Sequence, residues 1–468
     1  MTTADLAAVA PLLVLAIGAC LVIAVDLVFR PPARPLVWLG AIVGAGTAVT
    51  AAVLGGGPAG FGGAVLRDPG TVFFTVLIGA VTAAALLVSP QTLARDELPA
   101  GEYVALLLFS AAGGALMVTS GDLLVLFLGL ELLSLPLYVL TAMLRAREHG
   151  DEGALKYFLL GAAASAVLLY GIALLYAATG TLRLEAIGRA TVDPLYLAGL
   201  ALLLGGLAFK AALVPFHTWV PDAYESAPTP VTAHMAVVAK VAAFVAILRL
   251  VAATGRAPVA RVDWEVALAV IAAATLVVAT LSALGQRSVK RLLAYSSIAH
   301  AGYLAIAVAA TGATSGPATA FYLAVYAALT FGAFAVLALL GDDDPSLDSL
   351  AGLWQRRPLL VVLLAVFLFG LTGLPPTAGF LAKVYVFEAA LRAQLLWLVA
   401  LGVLASVASA AYYLRVIFAC LAPGTDPMPV PAPRARVATG VVVVTALLVV
   451  VAGFVPQPLL DAAALVRF

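Results

Sequence analysis

The sequence predicts an all-α polytopic membrane protein of about fourteen transmembrane helices, with two inverted five-helix repeats that each hold one broken helix. Three observations predict it. Of the 468 residues, 64% are hydrophobic and 10% charged, against about 25% charged in a soluble protein. Apolar runs of roughly eighteen residues or more recur along the whole length, each able to cross the hydrocarbon layer as a helix. Two of these runs are interrupted by proline, and each interruption has a lysine close by.

In chain order the spans are read at 6–28, 35–54, 71–89, 102–119 and 121–144, then at 154–178, 195–220, 228–252 and 264–285. The remainder are 292–311, 316–340, 359–392, 395–420 and 437–455. Met1–Asp5 has neither a basic flank nor a small-residue cleavage site, so the first span is expected to be retained. It stops at Arg30-Pro31-Pro32, and the second stops at the glycine-rich 55–63. Arg145–Gly150 parts the fifth from the sixth, Gly341–Pro345 the eleventh from the twelfth, and the proline-rich 423–433 the last two. No connection is long enough for a soluble domain, so 1–468 is expected to be one transmembrane domain.

The interrupted spans are the seventh, which contains Pro215 and ends at Pro221, and the twelfth, with Gly373-Leu374-Pro375-Pro376 in its middle. Lys210 lies beside the first break and Lys383 beside the second. An offset of five spans puts them in opposite orientations, which suggests repeats at 102–252 (spans four to eight) and 264–420 (spans nine to thirteen). With the N-terminus outside, the cytoplasmic loops hold Arg30, Arg34, Arg95, Arg145, Arg147, Arg287, Lys290, Arg291, Arg356, Arg357, Arg434 and Arg436. The other side then holds Arg67, Arg183, Arg189, Arg256, Arg261 and Arg467. Twelve against six predicts that both termini face outward. A formal charge of +1 argues against a nucleic-acid partner, and the isolated Cys20 and Cys420 indicate neither a disulfide framework nor a metal site.

Only five of the 25 basic residues are lysine: Lys156, Lys210, Lys240, Lys290 and Lys383. Arginine serves where a fixed charge is enough, whereas a desolvated lysine can give up its proton. Lys290 alone sits in a basic stretch that reads as a loop, QRSVKR. Glu131 lies deep in the fifth span, Lys210 and Lys240 near the middles of the seventh and eighth, and His300 in the tenth. His217 and His234 flank the connection between the seventh and eighth, and Lys156 lies near the start of the sixth. A central charge costs roughly 2.5–3.5 kcal/mol, so Glu131, Lys210, Lys240 and Lys383 together would cost on the order of 10 kcal/mol facing lipid.

Taken singly, these residues have structural explanations. Glu131 with one lysine makes an ion pair between helices, a lone histidine is a hydrogen-bonded core residue, and Lys156 snorkels to the interface. Those explanations do not account for an acid, several lysines and three histidines at similar depth beside both breaks. Groups that exchange protons, joined by water, are what proton conduction requires. Lys210 is then a switchable carrier, Pro215 opens the helix beside it, and His217 continues the path.

The stretches LFLGLELLSLPLYVL, ALKYFLLGAAASAVLLYGIALLYAATGT, FKAALVPFHTWVPDAYESAPTPVTAHMAVVAK, QRSVKRLLAYSSIAHAGY and GLTGLPPTAGFLAKVYVF resemble the antiporter-like subunits of respiratory complex I. The likeness is greatest to the N subunits of the bacterial proton-translocating NADH:quinone oxidoreductases. It implies that Glu131 and Lys210 form the ion pair of a first half-channel, with Lys240 in a central relay and Lys383 in the exit half. Lysine at 383 fits N subunits where M subunits usually carry glutamate, and a chain ending at Phe468 without a long lateral helix argues against L subunits. The resemblance also implies a multi-pass protein of the bacterial plasma membrane. Its expected partners are the other membrane and peripheral complex I subunits, which hold the NADH, FMN, iron–sulfur and quinone sites.

Two other readings compete. Mrp-type cation/proton antiporter subunits share this core and its Glu and Lys positions. A membrane cytochrome could use His217, His234 and His300, although haem takes paired axial ligands and one of the three would be left over. No cysteine cluster and no glycine-rich dinucleotide turn after a strand is present, so no cofactor or metal is expected in this chain itself.

Overall fold

The computed structural model describes residues 2–144, 150–255, 264–341, 344–424 and 435–467. Of the residues counted for orientation, Arg145, Arg147, Arg256, Arg261 and Arg434 lie outside these. The described residues form α1 (Thr3–Phe29), α2 (Ala33–Leu54), α3 (Pro69–Val88), α4 (Pro90–Arg95), α5 (Ala100–Thr119), α6 (Leu123–Thr141) and α7 (Gly150–Thr179). Then come α8 (Leu184–Ile187), α9 (Pro194–Ala211), α10 (Trp219–Ser226), α11 (Thr229–Thr254), α12 (Trp264–Leu284), α13 (Val289–Ala309) and α14 (Ser315–Leu340). The chain closes with α15 (Leu353–Arg356), α16 (Pro358–Thr372), α17 (Ala378–Arg392), α18 (Leu396–Leu421), α19 (Arg436–Phe454) and α20 (Gln457–Ala464).

Local chemistry sets many of the helix starts. Asp68, Asp122, Asp193 and Ser288 each accept a hydrogen bond from a backbone N–H in the first turn of α3, α6, α9 and α13. Pro69, Pro194 and Pro358 stand at the first helical position, where no N–H is needed. Among the described residues thirteen helices are long and apolar enough to cross a membrane. The twelfth predicted span is instead two helices of 15 residues, α16 and α17. The seventh predicted span, 195–220, ends as a helix at Ala211, with Ala212 left-handed at φ 65°, and the chain resumes helically only at Trp219.

Close backbone approach builds the second break. Gly373 turns at φ 83°, and a Cβ on Gly379 would come within 1.8 Å of the Gly370 carbonyl oxygen. Only glycine lets α17 start against the end of α16.

Burial grades from the rim to the centre. The best membrane-crossing stretches of α1, α7 and α19 are 22%, 28% and 22% buried inside the protein, whereas those of α11, α13 and α14 are 94%, 94% and 89%. These last three helices pack on one another. They carry Lys240, His300 and the tyrosines Tyr322 and Tyr326, so the polar residues sit at the centre of the bundle and are shielded from lipid.

Candidate functional site

The first group forms where α6, α7 and α9 meet. Lys210, 3% exposed in the last turn of α9, donates from Nζ to Ser134 Oγ at 2.8 Å and to Tyr157 OH at 3.2 Å. Ser134 in turn donates its hydroxyl to Leu130 O. The Glu131–Lys210 pair implied by the resemblance is not a direct contact here: Glu131 Oε1 is buried and has no hydrogen-bond partner, and its charge acts on the Lys210 ammonium only at longer range. Glu131 and Ser134 are three residues apart on α6 and so share a face, and the ammonium takes the hydroxyl, with the carboxylate left one turn away.

The first break leaves backbone groups that need partners, and side chains supply them. Trp219 donates from Nε1 to Phe209 O at 3.0 Å, and Val214 N–H donates to Thr275 Oγ1 at 3.0 Å. The Trp219 ring also stacks on Tyr157, with centroids 4.5 Å apart and planes 10° from parallel. Pro215 is exposed on the bundle surface in the connection between α9 and α10. His217, in the same connection, has a buried Nδ1 without a hydrogen-bond partner, and the Lys210 ammonium bonds Ser134 and Tyr157 instead of the imidazole.

The central group lies between α11, α13 and α14. Lys240 donates to Ser297 O at 2.7 Å, and Ser297 Oγ lies 2.7 Å from Tyr326 OH. His300 holds Tyr322 OH at 2.7 Å through Nδ1 and Tyr413 OH at 3.5 Å through Nε2, and Tyr413 also bonds Ser296. His234 is fully buried but turns away to Ser110 on α5, at 3.2 Å.

The third group satisfies the second break. Lys383 donates to Thr372 O at 2.7 Å and to Ser406 Oγ at 2.8 Å, and Ser406 bonds the same carbonyl at 2.9 Å. Thr372 O is one of the carbonyls freed where α16 stops. The Lys383 ammonium stands 4.7 Å above the Tyr303 ring, and the Tyr303 ring lies 5.9 Å from that of His300. Pro375 is exposed, outside this group.

Two lysines lie outside these groups, and one of them is not where it was expected. Lys156 has its side chain 46% exposed and pairs with Glu152 at 2.7 Å and Asp222 at 3.1 Å; its neighbour Tyr157 is the residue that reaches Lys210. Lys290 is not a loop residue. Ser288 caps α13, which puts Lys290 in the first turn, fully buried, where it donates to Glu225 O at 3.2 Å and Ala227 O at 2.6 Å at the end of α10. A cation at a helix C-terminus satisfies carbonyls that have no intrahelical donor.

Sequence reasoning missed the hydroxyls. Ser134, Tyr157, Tyr322, Ser406 and Tyr413 supply hydroxyl partners to Lys210, Lys383 and His300, and the Ser297 and Tyr326 hydroxyls bond each other beside Lys240. The available signal was tyrosine and serine recurring within spans that otherwise carry aliphatic residues. Buried Arg249 was missed too: it bonds Asp68 at 2.8 Å and Val118 O at 3.1 Å, tying α11 to α3 and α5.

A family model described as "NADH:quinone oxidoreductase/Mrp antiporter, TM" matches residues 120–409. A Chloroflexus aggregans protein named NADH-quinone oxidoreductase subunit N is 40% identical over 472 residues, 97% of this chain and 95% of that one. The chain belongs to the NADH-quinone oxidoreductase subunit N family. One chain of respiratory complex I from Thermus thermophilus with bound aureothin superposes with a TM-score of 0.84. That chain is 38% identical, and the match covers 98% of this chain and 100% of that one. The Mrp complex of a Dietzia species shares the fold at a TM-score of 0.81, covering 100% of this chain and 97% of that one at 22% identity, and this likeness concerns the fold alone.

Proposed function

We propose that this chain is the proton-conducting membrane subunit of an NADH:quinone oxidoreductase, driven by NADH oxidation and quinone reduction in other subunits. The observation that carries the reading is the run of three buried lysine sites, Lys210, Lys240 and Lys383. Each is bonded to hydroxyl or carbonyl oxygens, and they are spread across the bundle with His300 between the last two. Every one of these groups holds or passes a proton, and oxygen partners stabilise the ammonium without fixing it in a salt bridge. Glu131, His217 and His234 each keep a buried atom without a protein partner, which suits water molecules that extend the path.

The two breaks support two inverted repeats, 102–252 and 264–420, each with its lysine at the broken helix. In this reading FMN, the iron–sulfur clusters, NADH and quinone belong to partner subunits, and both termini face outward across the bacterial plasma membrane. Cysteine labelling from intact cells should then reach a cysteine placed at Ala464 and not one placed at Arg287.

Purification in mild detergent tests the function. Subunits with flavin and iron–sulfur spectra should accompany the chain, with NADH:quinone reductase activity. Recovery of a purely cation-exchanging assembly would overturn the proposal and favour the Mrp reading.

A further inference from the structure

We infer that Asp222 is a positioning residue for proton passage between Lys210 and Lys240, acting by locking α10 between the two halves of the bundle. This rests on the proton-conducting reading above and adds to it a residue outside the buried lysine sites.

Helix α10 has only eight residues and yet touches both lysine sites. Its first residue, Trp219, stacks on Tyr157, the residue whose hydroxyl accepts from Lys210, and bonds the carbonyl of Phe209, next to Lys210 in the chain. Near its other end Tyr224 OH lies 3.5 Å from Ser297 Oγ, and Ser297 supplies the carbonyl that accepts from Lys240. A shift of α10 therefore moves the surroundings of both ammonium groups together.

Asp222 sits between these contacts and sets where α10 lies. Its Oδ2 accepts from Lys156 of α7 at 3.1 Å and its Oδ1 from Arg291 of α13 at 2.8 Å. Lys156 precedes Tyr157 directly, and the α13 that carries Arg291 also carries Ser297 and His300. Arg291 extends the grip to Glu225 Oε2 at 2.5 Å, while Lys290 holds the Glu225 and Ala227 carbonyls. One carboxylate thus joins a helix of the first half to a helix of the second through α10. Its side chain is 24% exposed, so the bonds by themselves contribute modestly to stability and their consequence is alignment.

The test uses the assembled enzyme in inverted vesicles and measures initial proton uptake per NADH oxidised, per assembled complex. Asp222→Asn should assemble, since Lys156 keeps Glu152 and Arg291 keeps Glu225. Uptake through this chain should fall between about two- and thirtyfold, the range over which such positioning changes act. Asp222→Glu, which keeps a carboxylate for both cations, should restore most of it. Adding Arg291→Gln to Asp222→Asn should cost little more, because both act on one lock. If Asp222→Asn does not assemble, Arg291→Gln, which leaves the Lys156 pairs intact, is read in its place. Wild-type uptake per complex in whichever of Asp222→Asn and Arg291→Gln assembles, or loss of assembly in both, would overturn the inference. Lys210→Ala in the same vesicles separates the two failures: wild-type uptake there would bring down the proton-carrying reading itself.

Discussion

Replacing Lys383 by arginine separates a mobile proton from a fixed charge. Lys383 donates to Thr372 O at 2.7 Å and to Ser406 Oγ at 2.8 Å, and rests over the Tyr303 ring. A guanidinium has donors for both oxygens and stacks on an aromatic face at least as well as an ammonium. Thr372 O also keeps its bond from Ser406, so the loss is bounded by one charge-assisted hydrogen bond, about 1.5–3 kcal/mol, and assembly should survive. Proton release is a different matter. The reference pKa is about 10.4 for lysine and about 12.5–13.8 for arginine, so the neutral form becomes roughly 3–4.5 kcal/mol harder to reach. Conduction through this position should fall by about 100-fold or more. The measurement is proton uptake per NADH oxidised in inverted vesicles, normalised to assembled complex, with Lys383→Ala alongside. Both variants should lose uptake, and the alanine variant, which loses every bond of the ammonium, should lose more stability than the arginine variant. Wild-type uptake in Lys383→Arg would show that a fixed charge suffices and would end the carrier role of this lysine.

Glu131→Gln should lower uptake with assembly unchanged, because Glu131 makes no hydrogen bond that the amide would break, and Glu131→Asp should be milder. Lys290→Arg should reduce the amount and thermal stability of assembled complex, since overfilling a fully buried site costs about 1–3 kcal/mol; detergent-solubilised yield and Tm would record it. Asp68→Asn should destabilise by about 3 kcal/mol by leaving the 7% exposed Arg249 without its carboxylate. Burial would raise the Asp68 carboxyl, but Arg249 and the Thr71 bonds outweigh it and hold it below the usual range. Its contribution is therefore present above about pH 4 and lost as pH falls through the folded value, so the Tm difference between wild type and Asp68→Asn should shrink in acid.

The residue pattern made the membrane architecture readable, because bilayer thickness imposes a minimum apolar length that shows directly as runs of Leu, Val and Ala. Both breaks were readable from proline and a nearby lysine together, since proline alone does not break a span: Pro11 and Pro136 lie inside the continuous α1 and α6. That Lys210, Lys240 and Lys383 are buried followed from the cost of charge in hydrocarbon, and each is 2–4% exposed. Partners were not readable. Which oxygen meets an ammonium depends on the rotation and depth of neighbouring helices, and hydropathy is blind to both. Ser134 therefore took the place expected of Glu131, and His234 faces Ser110 away from the lysines.

Lys290 and Lys156 show most plainly what tertiary structure decided. In sequence, QRSVKR is a basic loop, yet once Ser288 caps α13 the Lys290 side chain is buried against the end of α10. Lys156, near the start of its span, reaches the surface as snorkelling allows, but its partner Asp222 lies 66 residues away in sequence and only the fold brings the two together. A run of apolar residues carries its own preference for lipid, which is local and additive along the chain. A hydrogen bond between two helices exists only at one relative placement of both, and that placement is set by the packing of the whole bundle.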